Sequence, residues 1–314
     1  AFLFVPSEAL GPGFRLLALS LLPIFLAGLA EDLGFGVSVR GRLIAAAISA
    51  ALAALLLHTW IDKVDLPGVD FLLGLAPFAI LFTVFASAGV CNAFNLIDGM
   101  NGLASGTGIL VAIGLGYIAR KAGAPDFANV AFAMAPAIFG FFLFNFPAGK
   151  IFLGDAGAYS MGHALVWTAI LLVAHSAEIS PWAVVLVFFW PLADTLFAIY
   201  RRSRSGRPLG QPDQMHFHQL AMRGIEIGIV GPGHRHVANA LATTMLLPLI
   251  GMPILTGVWL WNNSAAAMAA VAIYGIAFAA AYRIGLFYFR RHARAHRKHR
   301  NGKSQEKSAR TKAG

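Results

Sequence analysis

The residues of this chain that could carry chemistry lie in four polar clusters that interrupt long apolar stretches. The densest cluster, NAFNLIDGMNGL, places Asn92, Asn95 and Asp98 at three-residue intervals, with glycines just beyond them. On a helix this spacing confines the three side chains to a sector of about 120°, so they can line one cavity. Amides and carboxylates at membrane depth are costly and are candidates for a functional site. The alternative is a polar cap that only ends the helix.

The second cluster is a pair of adjacent acids, Glu31 and Asp32, at the end of the first apolar stretch. Two neighbouring carboxylates repel each other unless a cation or hydrogen-bond donors compensate. One of them could therefore act as a base or lie beside a metal ion. A hydrated acidic loop would explain the pair equally well.

The third cluster is PAGKIFLGDAGAY, residues 147–159, between two apolar stretches. Lys150 offers a point charge for phosphate, and Asp155 offers hard oxygen ligands for Mg²⁺, which takes one or two carboxylates beside phosphates and water. Gly154 and Gly157 leave Asp155 accessible. A plain turn between helices would tolerate Gly-Asp-Ala-Gly, but it would not need Lys150 and Asp155 beside the other clusters.

The fourth cluster runs from Asp194 through an arginine-rich segment to His216 and His218. In an extended segment, residues two apart point the same way, which would suit both rings to contact a phosphate or to shuttle a proton. Arg204 is a further candidate for phosphate binding, although arginines also simply flank membrane helices. Zinc is a weaker alternative, because the chain has one cysteine and no HExxH helix.

The chain that holds these clusters has the composition of an integral membrane protein. Of its 314 residues 58% are hydrophobic and 12% charged, and the mean hydropathy of +0.70 is not that of an ordinary soluble domain. Stretches long enough to cross a bilayer predict an all-α fold of about nine transmembrane helices. They lie at about 13–30, 43–60, 71–91, 102–119, 127–147, 158–175, 181–200, 237–260 and 265–289.

Basic residues are concentrated in alternate connections between these helices. The connections that hold the clusters, together with the tail, carry 19 Lys and Arg residues, against three in the opposite connections. The positive-inside rule therefore predicts that all four clusters face the cytoplasm. Residues 1–289 are interpreted as one transmembrane domain with a cytoplasmic loop at 201–236. Residues 290–314 are expected to form a basic cytoplasmic tail without fixed structure, which faces anionic lipid rather than nucleic acid.

The motifs NAFNLIDGMNGL, FLGDAGAY and PDQMHFH, in this order between apolar helices, resemble those of the polyprenyl-phosphate N-acetylhexosamine-1-phosphate transferases, glycosyltransferase family 4. The resemblance implies a bacterial inner-membrane enzyme of ten or eleven helices, so about two more are expected before the first. It also implies transfer of a phospho-sugar from a UDP-sugar to undecaprenyl phosphate, with release of UMP, to begin a cell-envelope glycan. The implied cofactor is Mg²⁺, with Mn²⁺ as an alternative.

PDQMHFH is more similar to the branch that initiates O-antigen, teichoic-acid and enterobacterial-type glycans than to the phospho-MurNAc-pentapeptide branch. UDP-N-acetylglucosamine is therefore the expected donor among the UDP-N-acetylhexosamines. The other expected partners are undecaprenyl phosphate, membrane lipids and a second copy of the chain, and no nucleic acid is expected.

The resemblance also implies roles for individual residues. Glu31 and Asp32 correspond to paired acids near the lipid phosphate and, together with Asp98 of the catalytic segment, are the expected catalytic residues. Asp155 matches a magnesium-binding aspartate. Together with the residues selected above by charge, this predicts a substrate-binding set of Asn92, Asn95, Asn101, Lys150, Arg204, His216 and His218.

The chain departs from the family pattern at several positions. Glu31 and Asn101 stand where many members have aspartate, Gln219 replaces a frequent third histidine, and Ala158 replaces a usual serine. The family's early basic loop with paired glycines is not found in this sequence. A catalytically inactive scaffold is therefore one alternative, and a phospho-MurNAc-pentapeptide transferase is another. An ion-coupled secondary transporter is less favoured, because no internal repeat is visible and the clusters lie on one face.

Overall fold

The computed structural model describes a bundle of α-helices, with the backbone of residues 11–205 and 215–312 and the side chains of residues 13–204 and 215–288. Eight helical segments in these ranges are long and apolar enough to cross a membrane, and a bent pair makes a ninth if it counts as one span. One of the eight, Gly13–Asp32, consists of two consecutive helices, α1 and α2. The predicted all-α, polytopic fold is confirmed. In chain order the helices are α1 (Gly11–Ser20), α2 (Leu22–Asp32), α3 (Val39–Leu57), α4 (Pro67–Leu73), α5 (Ala76–Ile97), α6 (Leu103–Lys121), α7 (Pro125–Asn145), α8 (Gly154–His175), α9 (Pro181–Val187), α10 (Phe189–Ser205), α11 (Phe217–Ile225), α12 (Arg235–Trp259) and α13 (Ser264–Lys312).

Local sequence signals explain where several helices begin. Proline stands in the first turn of α2, α4, α5, α7 and α9, where its missing N–H costs nothing and its fixed φ suits a helix. Ser38 caps α3 by accepting a hydrogen bond from the Gly41 N–H at 3.1 Å, and Ser180 caps α9 by accepting one from Ala183 at 3.2 Å. Both serines satisfy N–H groups that a helix start leaves free.

The seventh apolar stretch forms two helices rather than the single helix expected over 181–200. Helices α9 and α10 meet at an angle of 82°, with Phe188 between them. Pro191 lies in the first turn of α10 and cannot donate to the carbonyl of Val187, the last residue of α9. Because a proline ring also clashes with the carbonyl four residues earlier, a continuous helix is disfavoured here. The bend directs α10 to the end of the bundle that holds the histidines.

The interior of the bundle is built around α6 and α8, the most buried of the spanning helices. Small residues let neighbouring helices approach α6 closely: a Cβ at Gly108 would lie 2.5 Å from the sulfur of Met161, and one at Gly114 would lie 2.7 Å from Ile254. Close approach of this kind suits helices in lipid, where packing and not water exclusion drives association.

The connections of the bundle gather at its two ends. We call one end the site end; it holds residues 33–38, 98–102, 146–153 and 215–216. The far end holds residues 58–66, 122–124, 176–180 and 260–263. All four polar clusters lie at or next to the site end. The division into residues 1–289 and a tail stays a prediction; the backbone of α13 is helical through Lys312, beyond the apolar span Ser264–Tyr288.

Candidate active site

The carboxylate of Asp32 caps the N-terminus of α8. Its Oδ1 accepts a hydrogen bond from the backbone N–H of Asp155 at 2.8 Å, and its Oδ2 accepts one from Ala156 at 3.0 Å. Two glycines make this approach possible: a Cβ at Gly154 would lie 2.5 Å from Asp32 Oδ2, and one at Gly28 would lie 2.5 Å from the backbone nitrogen of Ala156. Asp32 thereby satisfies two of the four N–H groups that begin the helix.

Two donors from neighbouring helices hold the carboxylate of Asp155. Arg42, near the start of α3, forms an ion pair with Asp155 Oδ2, and Asn95 of α5 donates to Oδ1 at 2.7 Å. The same guanidinium lies 4.0 Å from Glu31 Oε1. Arg42 was missing from the residues predicted for the site, because its sequence signal was one more basic residue beside a helix. Its 15% side-chain exposure sets it apart from a charge that only orients the chain.

Among the described residues, two buried atoms of this cluster have no hydrogen-bond partner, Glu31 Oε2 and Arg42 Nε. An unsatisfied buried polar atom costs about 1–3 kcal/mol, so the cluster has capacity for further ligand atoms. In the part of the chain that the structure describes, no three His, Cys, Asp or Glu side chains converge to hold a metal ion. Mg²⁺ does not need such a cage, because it takes one or two carboxylates and completes its shell with phosphates and water. Asp155 and Glu31, which face one cationic group, fit that requirement.

The polar side chains of α5 turn toward α8 and α2. Asn95 contacts Asp155, and the Tyr159 hydroxyl donates to Asn92 Oδ1 at 3.4 Å. Asp98 ends α5, and burial, followed by the negative charge of Asp32, raises the pKa of Asp98 to about 7. The three-residue spacing therefore does bring these side chains to one region of the site end. Asp98 is poised to exchange a proton near neutral pH.

Asn101 connects parts of the site end to one another. Its backbone N–H donates to Asn239 Oδ1 at 3.0 Å, its carbonyl accepts from Thr243 Oγ1 at 2.8 Å, and its side chain donates to the carbonyl of Pro147 at 3.0 Å. A Cβ at Gly149 would lie 2.8 Å from Asn101 Nδ2. These contacts join residues 98–102 to α12 and to the connection before α8. The substrate contact expected of Asn101 stays a prediction.

Two of the basic residues selected from the sequence lie apart from the carboxylates. Lys150 is exposed on the connection before α8. Arg204 is exposed near the end of α10, where it donates to the Tyr200 hydroxyl at 3.0 Å and lies 5.8 Å from the centre of that ring. The structure does not bring either side chain into contact with Asp155, and their roles in substrate binding stay predictions.

Both histidines contact the carboxylate of Asp194, which in the sequence was only the first residue of the fourth cluster. Nδ1 of His216 and Nδ1 of His218 each lie 3.2 Å from Asp194 Oδ2, and the rings are stacked at 5.6 Å with 20° between their planes. His216 has the extended dihedral angles φ −65° and ψ 152°, but helix α11 begins at Phe217, so the extended segment expected for both histidines holds only at His216. Asp194, and not strand geometry, aligns the rings. Residues 212–214 of PDQMHFH lie outside the described residues.

The histidine pair also adjoins the first polar cluster. A Cβ at Gly99 would lie 3.0 Å from Nε2 of His218 and 3.8 Å from the side-chain nitrogen of Gln219. Glycine directly after Asp98 therefore lets α11 approach the end of α5. The four clusters of the sequence form two contacting groups at the site end, one around Asp155 and one around Asp194.

Comparison with known proteins points to one group of enzymes. Residues 14–173 match the model of glycosyl transferase family 4, a range that includes the carboxylate clusters but not the histidines. The undecaprenyl-phosphate alpha-N-acetylglucosaminyl 1-phosphate transferase of Yersinia pestis is 29% identical over 308 residues, which are 96% of this chain and 82% of that protein.

Two further relatives match over shorter ranges. A protein of the same name from Escherichia coli strain K12 is 32% identical over 206 residues, 62% of this chain and 54% of that protein. The probable undecaprenyl-phosphate N-acetylglucosaminyl 1-phosphate transferase of Bacillus subtilis is 30% identical over 164 residues, 51% of this chain and 46% of that protein. The chain thus spans about half the length of these two relatives.

Proposed function

Because the chain belongs to glycosyl transferase family 4, we propose that it transfers N-acetylglucosamine 1-phosphate from UDP-N-acetylglucosamine to undecaprenyl phosphate and releases UMP. The names of the relatives specify the lipid acceptor and the sugar phosphate, and they favour neither the pentapeptide substrate nor transport. The observation that carries the proposal is the convergence of Asp32, Arg42, Asn95 and Asp155 at the start of α8.

In the proposed reaction an oxygen of the lipid phosphate forms a bond to the β-phosphorus of the UDP-sugar. The bond from that phosphorus to the oxygen that bridges it to the α-phosphate breaks, and UMP leaves with the bridging oxygen. The product carries the sugar on the lipid through a diphosphate. Phosphoryl transfer of this kind is catalysed mainly by positioning and by neutralising charge.

The residues of the site divide this work. Arg42 supplies positive charge beside the carboxylates, and its Nε is available for a phosphate oxygen. Asp98, with its pKa raised to about 7, accepts a proton that the lipid phosphate still carries near neutral pH. Asp32 keeps the start of α8, and with it Asp155, in place. Asp155 with Glu31 would hold Mg²⁺, which would neutralise charge on the diphosphate.

The orientation of the site is part of the proposal. We place the protein in the bacterial inner membrane with the site end in the cytoplasm, supported by the 19 Lys and Arg residues at positions 40–42, 150, 201–236 and 290–312, against three (Lys63, Arg120 and Lys121) at or next to the far end. Labelling of a cysteine introduced at position 36 and of one introduced at position 123, in intact cells, tests this orientation; only the latter is expected to react with an impermeant reagent.

The reaction is tested with the full chain in membranes, undecaprenyl phosphate and a panel of radiolabelled UDP-sugars. Lipid-linked product and UMP are expected in equal amounts with Mg²⁺ and UDP-N-acetylglucosamine. Asp155→Asn is expected to lower the rate about 100-fold, as loss of a charge-stabilising group at a reacting centre does. Asp126→Asn is the matched control, because Asp126 also lies in the first turn of a spanning helix, but at the far end. Consumption of UDP-sugar without lipid-linked product, or full activity of Asp155→Asn, would contradict the proposal.

A further inference from the structure

A buried carboxylate, Asp194, ties the start of α11 to α10. Only 2% of Asp194 is exposed. Its Oδ2 lies 3.2 Å from Nδ1 of His216 and 3.2 Å from Nδ1 of His218, and its Oδ1 accepts a hydrogen bond from the backbone N–H of Phe217 at 2.9 Å. Three consecutive residues of the motif therefore bind one side chain that lies more than twenty residues earlier.

This arrangement selects one tautomer for both rings. An ionised carboxylate can only accept hydrogen bonds, and a neutral imidazole carries its proton on one nitrogen. Both Nδ1 atoms must therefore carry the proton, and both Nε2 atoms are left for another partner. In this tautomer the Nε2 of a neutral ring can accept a proton, and that of a protonated ring can donate to a phosphate oxygen.

The free nitrogen of His218 lies in a place where a ligand would be expected. His218 is fully buried, and its Nε2 has no hydrogen-bond partner among residues 11–205 and 215–312. The atom adjoins Gly99, next to Asp98, and Gln219 beside it has a second buried polar atom without a partner, Oε1. Buried polar groups in folded proteins are nearly always paired. Two unpaired atoms at one turn of the site end therefore mark a contact point for a polar ligand.

We propose that Asp194 is a positioning residue for the transfer reaction: it holds His216 and His218 on Nδ1, so that the Nε2–H of His218, when the ring is protonated, donates to an anionic oxygen of the substrate diphosphate beside Gly99. The substrate part of this inference rests on the proposed function. The tautomer part does not, because it follows from the three contacts of Asp194 alone.

If Asp194 only joined α11 to α10, it would make the same contacts. The test must therefore separate a role in positioning the histidines from a role in stabilising the fold. Asp194→Asn keeps the size of the side chain and one acceptor oxygen, but its amide N–H₂ can only donate. At least one histidine would then have to accept on Nδ1 and carry its proton on Nε2. A ring held in this way leaves the fold intact, but it cannot take up a second proton on Nδ1 because the amide N–H₂ faces that atom.

The experiment combines kinetics with ¹⁵N NMR of the full chain labelled at histidine, recorded at about pH 8, above the ordinary pKa of histidine. His216→Gln and His218→Gln assign the two signals. The wild-type protein is expected to show the Nδ1–H form for both rings. Asp194→Asn is expected to convert at least one ring to the Nε2–H form and to lower kcat about 100-fold, with little change in Tm. Thr195→Val, at a buried neighbour whose hydroxyl has no partner, is expected to change neither reading.

A double variant completes the test. If Asp194 acts through His218, Asp194→Asn combined with His218→Gln is expected to be no slower than His218→Gln alone, because the two residues then form one unit. Independent, multiplying losses would overturn the inference. The Nε2–H form in the wild-type protein would overturn it too, even if Asp194→Asn failed to fold. The NMR reading needs no substrate, so its outcome is separate from failure of the proposed reaction.

Discussion

Each end of the bundle holds a partly buried carboxylate, Asp65 at the far end and Asp98 at the site end, and their surroundings shift the two pKa values in opposite directions. At the far end both oxygens of Asp65 are bound: Lys63 Nζ lies 2.7 Å from Oδ1, and the hydroxyl of Ser264 donates to Oδ2. Burial alone would raise the pKa of Asp65, but these hydrogen bonds outweigh it and lower the pKa below its usual value. At the site end, Asp98 has no such donors among the described residues, and burial and Asp32 raise its pKa to about 7.

This difference in pairing distinguishes polar groups that stabilise the fold from polar groups that are available to bind a ligand. Both carboxylate oxygens of Asp65 are bound to side chains of the protein, Lys63 and Ser264, so the far-end cluster contributes to stability. The site end keeps unpaired atoms on Glu31, Arg42 and His218, each at a cost in stability. Perturbed, incompletely satisfied groups of this kind are typical of active sites. Substitutions at the two ends should therefore differ in their effects on activity and on stability.

The largest effect is expected from Gly154→Ala, which disrupts the contact between Asp32 and α8 without removing any charged group. The new Cβ would lie 2.5 Å from Asp32 Oδ2, and the φ of +67° disfavours alanine. Asp32 would have to leave its position over α8, and Asp155 would shift with the helix. We expect kcat to fall about 100-fold, the usual cost of misplacing a catalytic group by about 1 Å. The measurement is release of UMP under saturating substrates.

Gly123→Ala is the control for backbone strain in that experiment. Gly123 lies at the far end with a φ of +68°, and a Cβ there would have no neighbour within 4 Å. It shares the strain of Gly154→Ala without the clash, so its activity should stay close to wild type. Equal losses for the two variants would mean that strain alone, and not the contact with Asp32, accounts for the effect.

A second pair of variants should shift stability in opposite directions. The folded pKa of Asp98 lies above its ordinary value of 3.8, so its charged form opposes folding. The penalty grows as pH rises from about 4 to about 7 and is constant above that. The lowered pKa of Asp65 does the reverse, because its contribution is present above about pH 4 and is lost as pH falls further. At about pH 8, Asp98→Asn should therefore raise Tm and Asp65→Asn should lower it.

The size and the pH dependence of these shifts can be checked by thermal unfolding in detergent. A change of about 1 kcal/mol corresponds to about 2–4 °C in a large domain, and shifts of that order are expected at about pH 8. Both should shrink toward about pH 4. Asp98→Asn should also lose most of its activity, whereas Asp65→Asn should keep it. Shifts of the same sign would contradict the contrast between the two ends.

Much of the site end could be predicted from the sequence, but its pairings could not. Apolar length alone located the spanning helices, and a three-residue period correctly brought Asn92, Asn95 and Asp98 to one region. The ion pair of Arg42 with Asp155 joins residues 113 positions apart, and no local pattern encodes such a contact. Arg42 therefore looked like any other charge beside a membrane helix.

The histidine motif shows a different limit of sequence reasoning. The residue types predicted a phosphate-binding pair, but an extended segment and a helix start both align side chains, and spacing alone does not choose between them. Pro191 was the readable signal that the seventh stretch bends. The bend places Asp194 against α11, so the partner of both histidines depends on tertiary structure. The far-end cluster of Asp65 had no sequence signal at all, because its residues are ordinary loop residues.

The smallest effect is expected from Ser264→Ala, which tests whether the far end contributes to stability alone. Ser264 donates to Asp65 and lies 2.8 Å from the hydroxyl of Ser180, so its side chain joins the start of α13 to two other connections. Ser264→Ala removes these hydrogen bonds, each worth about 1 kcal/mol net, and should lower Tm by about 2–4 °C. Asn262→Ala, at an exposed neighbour, is the control and should leave Tm unchanged. Because every partner of Ser264 is at the far end, kcat should equal that of the wild-type protein. A lower kcat would mean that the two ends are coupled through the length of the helices. Unpaired polar atoms would then no longer distinguish residues with a role in catalysis from residues with a role in stability only.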